Sequence, residues 1–206
     1  MIQNQRVVLA SGSPRRLELL RQIGIRPEVR PSQIEEKVTS QVPEEVVMEL
    51  SAQKAEDVAG RAAADTLVLG ADTVVAVDGE ILGKPGSREE AVCMIEKLQG
   101  RSHQVWTGVT LIYREKEKSR GVTFAEKTEV VVYPMTEEEI AGYVDTGEPM
   151  DKAGAYGIQG GFAAYIEGIC GDYNTVVGLP LGRTVQEWKR LMEEMEENQD
   201  DQIDCN

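Results

Sequence analysis

The run VVLASGSPRR at residues 7–16 constrains the chain more than any other feature. Val7, Val8 and Leu9 are continuously apolar and predict a buried strand. Ser11, Gly12 and Ser13 predict a tight turn. Pro14 has a ring-fixed φ and no N–H to satisfy, which suits the first position of a helix. Arg15 and Arg16 then fall in the first helical turn. Small residues let a ligand approach, the helix N-terminus supplies partial positive charge, and two guanidinium groups add full charge, so the run can hold a polyphosphate. Seen alone, it is equally explained by a capping serine and two surface arginines. It lacks the Lys-Ser/Thr of a Walker A loop.

Strand-like and helix-like segments alternate beyond this turn. Helices are expected over about 14–23 and 43–59, the second burying Val46, Val47, Leu50, Ala55 and Val58. TLVLG at 66–70 reads as a fully buried strand, and Asp78-Gly79 marks a hairpin in the stretch that follows. Ser87 with Glu90, and Thr136 with Glu139, have the spacing of capping boxes and open two more helices. Residues 103–113 and 121–133 read as long β stretches joined by a charged tip. Residues 154–178 are glycine-rich with short β-like pieces, and GDYNTVVGLPL at 171–181 reads as a turn, a strand and a helix start. A last helix begins near Leu181. This order, without internal repeats, predicts an α/β fold with a mixed sheet flanked by helices and a cleft between two lobes. Residues 1–191 form one domain in this reading, and 192–206 form an acidic tail that frays into disorder.

Composition narrows the function classes. No segment approaches the roughly 18 apolar residues of a membrane span, and no basic stretch precedes an apolar signal region, so a cytoplasmic protein is expected. Cys93, Cys170 and Cys205 are too scattered for a zinc cluster or a disulfide framework. The single histidine, His103, weakens any Ser-His-Asp or multi-histidine metal scheme. Net charge is −14, and half of it lies in residues 192–206, which hold seven acids and no base. An acidic chain is a poor general binder of nucleic acid. A small anionic substrate remains open where basic residues converge, and a homodimer is an open option.

Several positions can carry chemistry. Asp72, at the expected C-terminal end of the TLVLG strand, can activate water or bind a divalent cation. Glu35 and Glu36 point to opposite sides of an extended chain, so at most one faces a given site. Lys54 on the second helix and Lys84 in the GKP turn can neutralise phosphate. In DKAGAYGIQG at 151–160, small residues permit close backbone approach. Gln159 there can read a base edge with a donor and an acceptor together. Tyr156 can stack or pack.

Together, LASGSPRR, GADTVV, GKP, DKAGAYGIQG and GDYNTVVGLPL resemble the Maf family of nucleoside triphosphate pyrophosphatases, in the family's order from Leu9 to Leu181. The resemblance implies an elongated fold similar to inosine triphosphate pyrophosphatases. It implies cleavage between the α- and β-phosphates with Mg²⁺ or Mn²⁺, in the upkeep of nucleotide pools. It implies Asp72 as proton acceptor and Arg15, Thr73 and Gln159 as residues linked to substrate choice. Ser-Pro-Arg-Arg and Ala-Tyr-Gly-Ile-Gln are similar to the subgroup acting on dTTP and UTP. The alternatives are 7-methyl-GTP as substrate, or arrest of septum formation by binding. In the resulting scheme Ser11 and the turn amides position phosphate oxygens. Arg15, Arg16, Lys54 and Lys84 offset phosphate charge, Thr73 and Gln159 read the pyrimidine, and Asp72 or a glutamate, Glu35 or Glu36, holds the metal in part.

Overall fold

One strand that changes partners along its length creates the place where a ligand can sit. A computed structural model describes residues 5–115 and 118–203. The strands are β1 (Arg6–Leu9), β2 (Glu28–Val29), β3 (Thr66–Val77), β4 (Glu80–Leu82), β5 (Ser102–Glu115), β6 (Lys118–Val132) and β7 (Ile166–Cys170). They form one mixed sheet in the order β2-β1-β3-β5-β6-β7, with β4 also on β3. β1 runs parallel to β2 and β3, and the other pairs are antiparallel. On one edge of β3, β1 pairs as far as Leu9↔Leu69 and β4 begins only at Val75↔Leu82. Residues 70–74 therefore have no strand partner on that edge, while β5 stays paired along the other.

The helices are α1 (Pro14–Gln22), α2 (Pro43–Ala59), α3 (Arg88–Leu98), α4 (Glu137–Val144), α5 (Tyr173–Val177) and α6 (Leu181–Ile203). Alternation along the strands sorts them. Val7, Leu9, Leu67, Leu69 and Ala71 pack with Leu20 of α1 and Trp188 of α6. Farther along, Val75 and Val77 pack with Ile95 of α3, Ile140 of α4 and Phe162. The cleft opens between these two clusters. The intervening positions Val8 and Val68 pack instead against Ala55 and Val58 of α2. A Cβ at Gly70 would lie 2.4 Å from the Ser51 carbonyl oxygen, and one at Gly108 would lie 2.2 Å from that of Val47. Only glycine lets α2 press this closely onto the sheet.

The mixed sheet flanked by helices agrees with the sequence reading, and several elements differ from it. Asp72 is in the middle of β3, not at a strand end, because pairing with β5 carries the strand on to Val77. The strand that ends at the cleft is β1, whose pairing with β3 stops at Leu9↔Leu69. Tyr173–Val177 is a short helix and not a strand, since Asp172 caps it through the Asn174 N–H at 2.9 Å and Gly178 stops it at φ 124°. The Ser87 box does not close: the Glu90 carboxylate accepts from Gly86, whereas the Thr136–Glu139 box is complete. The charged tip expected between the β stretches is largely strand, and 116–117 lie outside the described residues. α6 carries helical backbone to Ile203, through much of the tail expected to be disordered; 204–206 lie outside the described residues.

Candidate active site

The cleft holds a cavity of about 420 Å³ that all five sequence blocks help to line. Its first wall is the turn between β1 and α1. Arg16, 9% exposed, points inward. Its Nε donates to the Gly178 carbonyl at 2.8 Å, one terminal nitrogen to Ser11 Oγ at 2.9 Å and the other to Thr73 Oγ1 at 3.0 Å. Burial lowers its pKa against the attraction of Asp72, yet a guanidinium stays protonated. Thr107 Oγ1 donates to the Thr175 carbonyl at 2.8 Å, so the 2.9 Å contact between Thr73 and Thr107 hydroxyls has Thr73 as donor. A polarised chain thus runs from Arg16 through Thr73 and Thr107 to α5. Neither Ser11 nor Ser13 caps α1: the Ser13 side chain makes no cap hydrogen bond, and Ser11 serves Arg16 and the Ser13 N–H.

The second wall comes from the opposite face of β3. Asp72 emerges where the edge is unpaired and binds Lys54 Nζ of α2. The same ammonium group lies 3.1 Å from Glu36 Oε1. Asp72 and Lys54 side chains are 16% and 14% exposed, so this is a largely desolvated contact. Glu36 arrives on an irregular strap that α2 holds by a stripe of polar residues at four-residue spacing. Glu45 accepts from Ser40, Glu49 from Thr39 and Asp57 from Ser32. Gln53 clamps the backbone of Lys37, accepting from its N–H at 3.0 Å and donating to its carbonyl at 2.6 Å. Gln53 precedes Lys54 and Lys37 follows Glu36, so the clamp brings those two charges together. Among the described residues no three or more His, Cys, Asp or Glu side chains form a metal cage. Two carboxylates converging on one cation nevertheless fit an ion such as Mg²⁺, which takes one or two carboxylates and completes its shell from substrate phosphates and water.

The third wall is residues 151–160. Arg15 reaches across to Asp151 at 3.4 Å, and Asp151 also accepts from Lys152 Nζ at 2.6 Å. These cations, Lys152 first, hold the Asp151 carboxyl below the usual range. Tyr156 is buried, with its hydroxyl 2.7 Å from His103 Nε2 and its ring 4.8 Å from that of Phe162. It packs and does not stand free for stacking. Gln159 and Lys84 line the cavity, are exposed, and make no hydrogen bond among the described residues.

Of the residues singled out in the sequence, Ser11, Arg15, Arg16, Glu36, Lys54, Asp72, Thr73, Lys84 and Gln159 all line the cavity. Glu35 does not: it is exposed outside the lining while its neighbour Glu36 faces Lys54, the split an extended backbone demands. Arg16 is a buried strut that orders Ser11 and Thr73, not a free phosphate clamp. Thr73 spends its proton on Thr107, which leaves it only acceptor capacity toward a ligand. Sequence reading missed Asp151 and Lys152 as cavity residues, although both open the DKAGAYGIQG block. It also missed Thr107 and Gln53, which no local pattern marks.

The chain matches the family model described as Maf-like protein over residues 6–191. It is 51% identical over 198 residues to a dTTP/UTP pyrophosphatase of Agathobacter rectalis, covering 90% of this chain and 97% of that one. It is 53% identical over 183 residues to a dTTP/UTP pyrophosphatase of Symbiobacterium thermophilum, covering 88% and 92%. Among solved structures, the Staphylococcus aureus Ham1 protein aligns with TM-score 0.45 and 17% identity, covering 62% of this chain and 72% of that one. No helix of the described residues is long and apolar enough to cross a membrane. On its matched length and its level of identity to these relatives, the chain belongs to the family of Maf-like proteins.

Proposed function

We propose that this chain is a nucleoside triphosphate pyrophosphatase that hydrolyses dTTP and UTP to the monophosphate and pyrophosphate. The observation that carries the reading is the meeting of the Asp72–Lys54–Glu36 cluster with the SGSPRR turn in one cavity, opposite Gln159. The relatives named dTTP/UTP pyrophosphatases at about half identity support the substrate class. Residues 1–191 are the catalytic unit.

Asp72 is the proton acceptor. It takes a proton from the water that attacks the α-phosphorus, and the bond from that phosphorus to the bridging oxygen breaks as pyrophosphate leaves. Lys54 Nζ, held by Asp72 and 3.1 Å from Glu36, fixes the Asp72 carboxylate in place at the unpaired edge of β3. Arg15, Lys84 and Lys152 offset charge that builds on the departing pyrophosphate. Ser11 and the turn amides position phosphate oxygens, while buried Arg16 fixes that turn and adds its field. Gln159, free at the mouth, reads the donor–acceptor edge of the pyrimidine, and Thr73 offers an acceptor at the cavity floor. Glu36 and Asp72 would hold Mg²⁺ or Mn²⁺ against the phosphates. When bound, such a cation neutralises phosphate charge and orients the chain of phosphates.

The test is pyrophosphate release from dTTP, UTP, CTP, GTP and 7-methyl-GTP with Mg²⁺ or Mn²⁺, for the wild type and Asp72→Asn. Selective release from dTTP and UTP, lowered about 100-fold or more in kcat by Asp72→Asn with KM within a few-fold, is expected for loss of a general base. Release from 7-methyl-GTP alone would overturn the base assignment. Near-normal turnover by Asp72→Asn would remove Asp72 as proton acceptor.

A further inference from the structure

Glu148 belongs to none of the groups that the reaction scheme uses, yet two glycines of the Gln159 loop and Tyr143 of α4 converge on its carboxylate. Oε2 accepts from the Gly161 backbone N–H at 2.9 Å. Oε1 accepts from the Tyr143 hydroxyl at 3.1 Å. A Cβ built on Gly160 would lie 2.0 Å from Oε1, so the carboxylate lies flat against that glycine's backbone and nothing larger fits. The Glu148 carbonyl also accepts from Lys152 Nζ at 2.6 Å, which ties the same residue to the start of the 151–160 segment. The loop between Gly157 and Gly161 is closed on itself by a single backbone hydrogen bond, Gly160 N–H to the Gly157 carbonyl at 3.1 Å. The bond from Gly161 to Glu148 ties this loop to the body of the protein, beside Ile158, which packs against the cluster of Leu20 and Trp188. Burial, with Glu148 second, raises the Tyr143 pKa, so the phenol stays a donor throughout the working range.

We infer that Glu148 is a positioning residue for substrate choice: it clasps Gly160 and Gly161 and so holds Gln159, one residue away, in the orientation that reads the base. This rests on the assignment of Gln159 as the base reader. A charge-assisted bond to a backbone N–H is stronger than a neutral one, which suits a carboxylate to holding a glycine-rich loop that would otherwise sample many conformations. Without the clasp, Gln159 still sits in the sequence but visits many positions, and a hydrogen-bonding site held loosely discriminates poorly.

The experiment is steady-state kinetics on dTTP, UTP, CTP and GTP for the full chain carrying Glu148→Ala, Glu148→Gln, Gln159→Ala, or Glu148→Ala with Gln159→Ala. Amide hydrogen exchange of residues 157–161 is measured alongside. Glu148→Ala should cut the preference for dTTP and UTP over GTP at least about tenfold, mostly through KM, and speed exchange at Gly161. Glu148→Gln, which keeps an oxygen for Gly161, should restore most of the preference. The double variant should discriminate no worse than Gln159→Ala alone. If Gln159→Ala shifts the preference and Glu148→Ala does not, the positioning role is overturned while base reading stands. If Gln159→Ala leaves the preference intact, base reading itself fails, and the positioning role with it. Equal loss of kcat on every nucleotide with unchanged exchange would mark Glu148 as structural only and overturn the inference.

Discussion

Asp72 and Glu36 share one ammonium group, and that sharing decides what either carboxylate can do. A lysine between two acids leaves the cluster with a net negative charge, so an approaching cation meets two carboxylates already aimed at one point. Asp72 is the less exposed of the two, at 16% against 46% for Glu36, which suits Asp72 to proton transfer and Glu36 to an ion shared with solvent and phosphate. His103 of β5 is only 2% exposed and its Nε2 lies 2.7 Å from the Tyr156 hydroxyl. Burial lowers its pKa from 6.5 to about 4. Between those values the unfolded chain binds a proton that the folded chain refuses. Its contribution to stability is therefore whole above pH 6.5 and falls as pH drops toward 4, by up to about 3 kcal/mol. Urea unfolding at about pH 7 and about pH 5 should show the wild type losing about 2 kcal/mol more than His103→Gln. Equal losses in the two proteins would contradict the buried neutral imidazole. None of this was legible at His103 itself. Its partner Tyr156 stands 53 residues away in a block whose spacing suggests ligand contact as readily as packing.

At the scale of elements, α2 is the piece on which the site depends. Its apolar side fills the sheet face, its polar stripe holds the strap, and Lys54 lies between the two. The helix boundaries and its buried positions were legible because Pro43 opens it and the apolar spacing is helical. Its distance from the sheet was not legible, since that is set by Gly70 and Gly108 on strands remote from it. Gly108→Ala should push Val47 outward, lower stability by about 1–3 kcal/mol through overpacking, and draw Lys54 from Asp72. Thermal unfolding and kcat should fall together. A variant with wild-type kcat and an unchanged melting temperature would show that the close seat is unnecessary. The same limit explains β3. TLVLG and ADTVVAV look like two segments divided at Gly70, and only the unbroken partner β5 makes them one strand. At Tyr173–Val177 the β-branched run outweighed the cap at Asp172 and the stop at Gly178, both visible in the sequence. Tertiary context routinely reverses propensity over so short a stretch.

The whole molecule presents a mixed sheet with two apolar clusters on one face, α2 on the other, and a cleft where β1 leaves β3. The class of fold was legible from the order of elements. The site was legible as a set of blocks but not as a geometry. Arg16 meets Gly178 across 162 residues and Arg15 meets Asp151 across 136, and no local pattern encodes such contacts. The acidic excess of the last fifteen residues lies beyond the matched span that ends at residue 191, so the net charge of −14 describes the tail as much as the matched span. The central claim is that this cleft directs water to the α-phosphorus of a pyrimidine nucleoside triphosphate. The most direct measurement is hydrolysis of dTTP in ¹⁸O-water with mass analysis of both products, for the wild type and Asp72→Asn. The account predicts one ¹⁸O in dTMP, none in pyrophosphate, and loss of the labelled product in the variant. Label in pyrophosphate, or release of orthophosphate in its place, would contradict it.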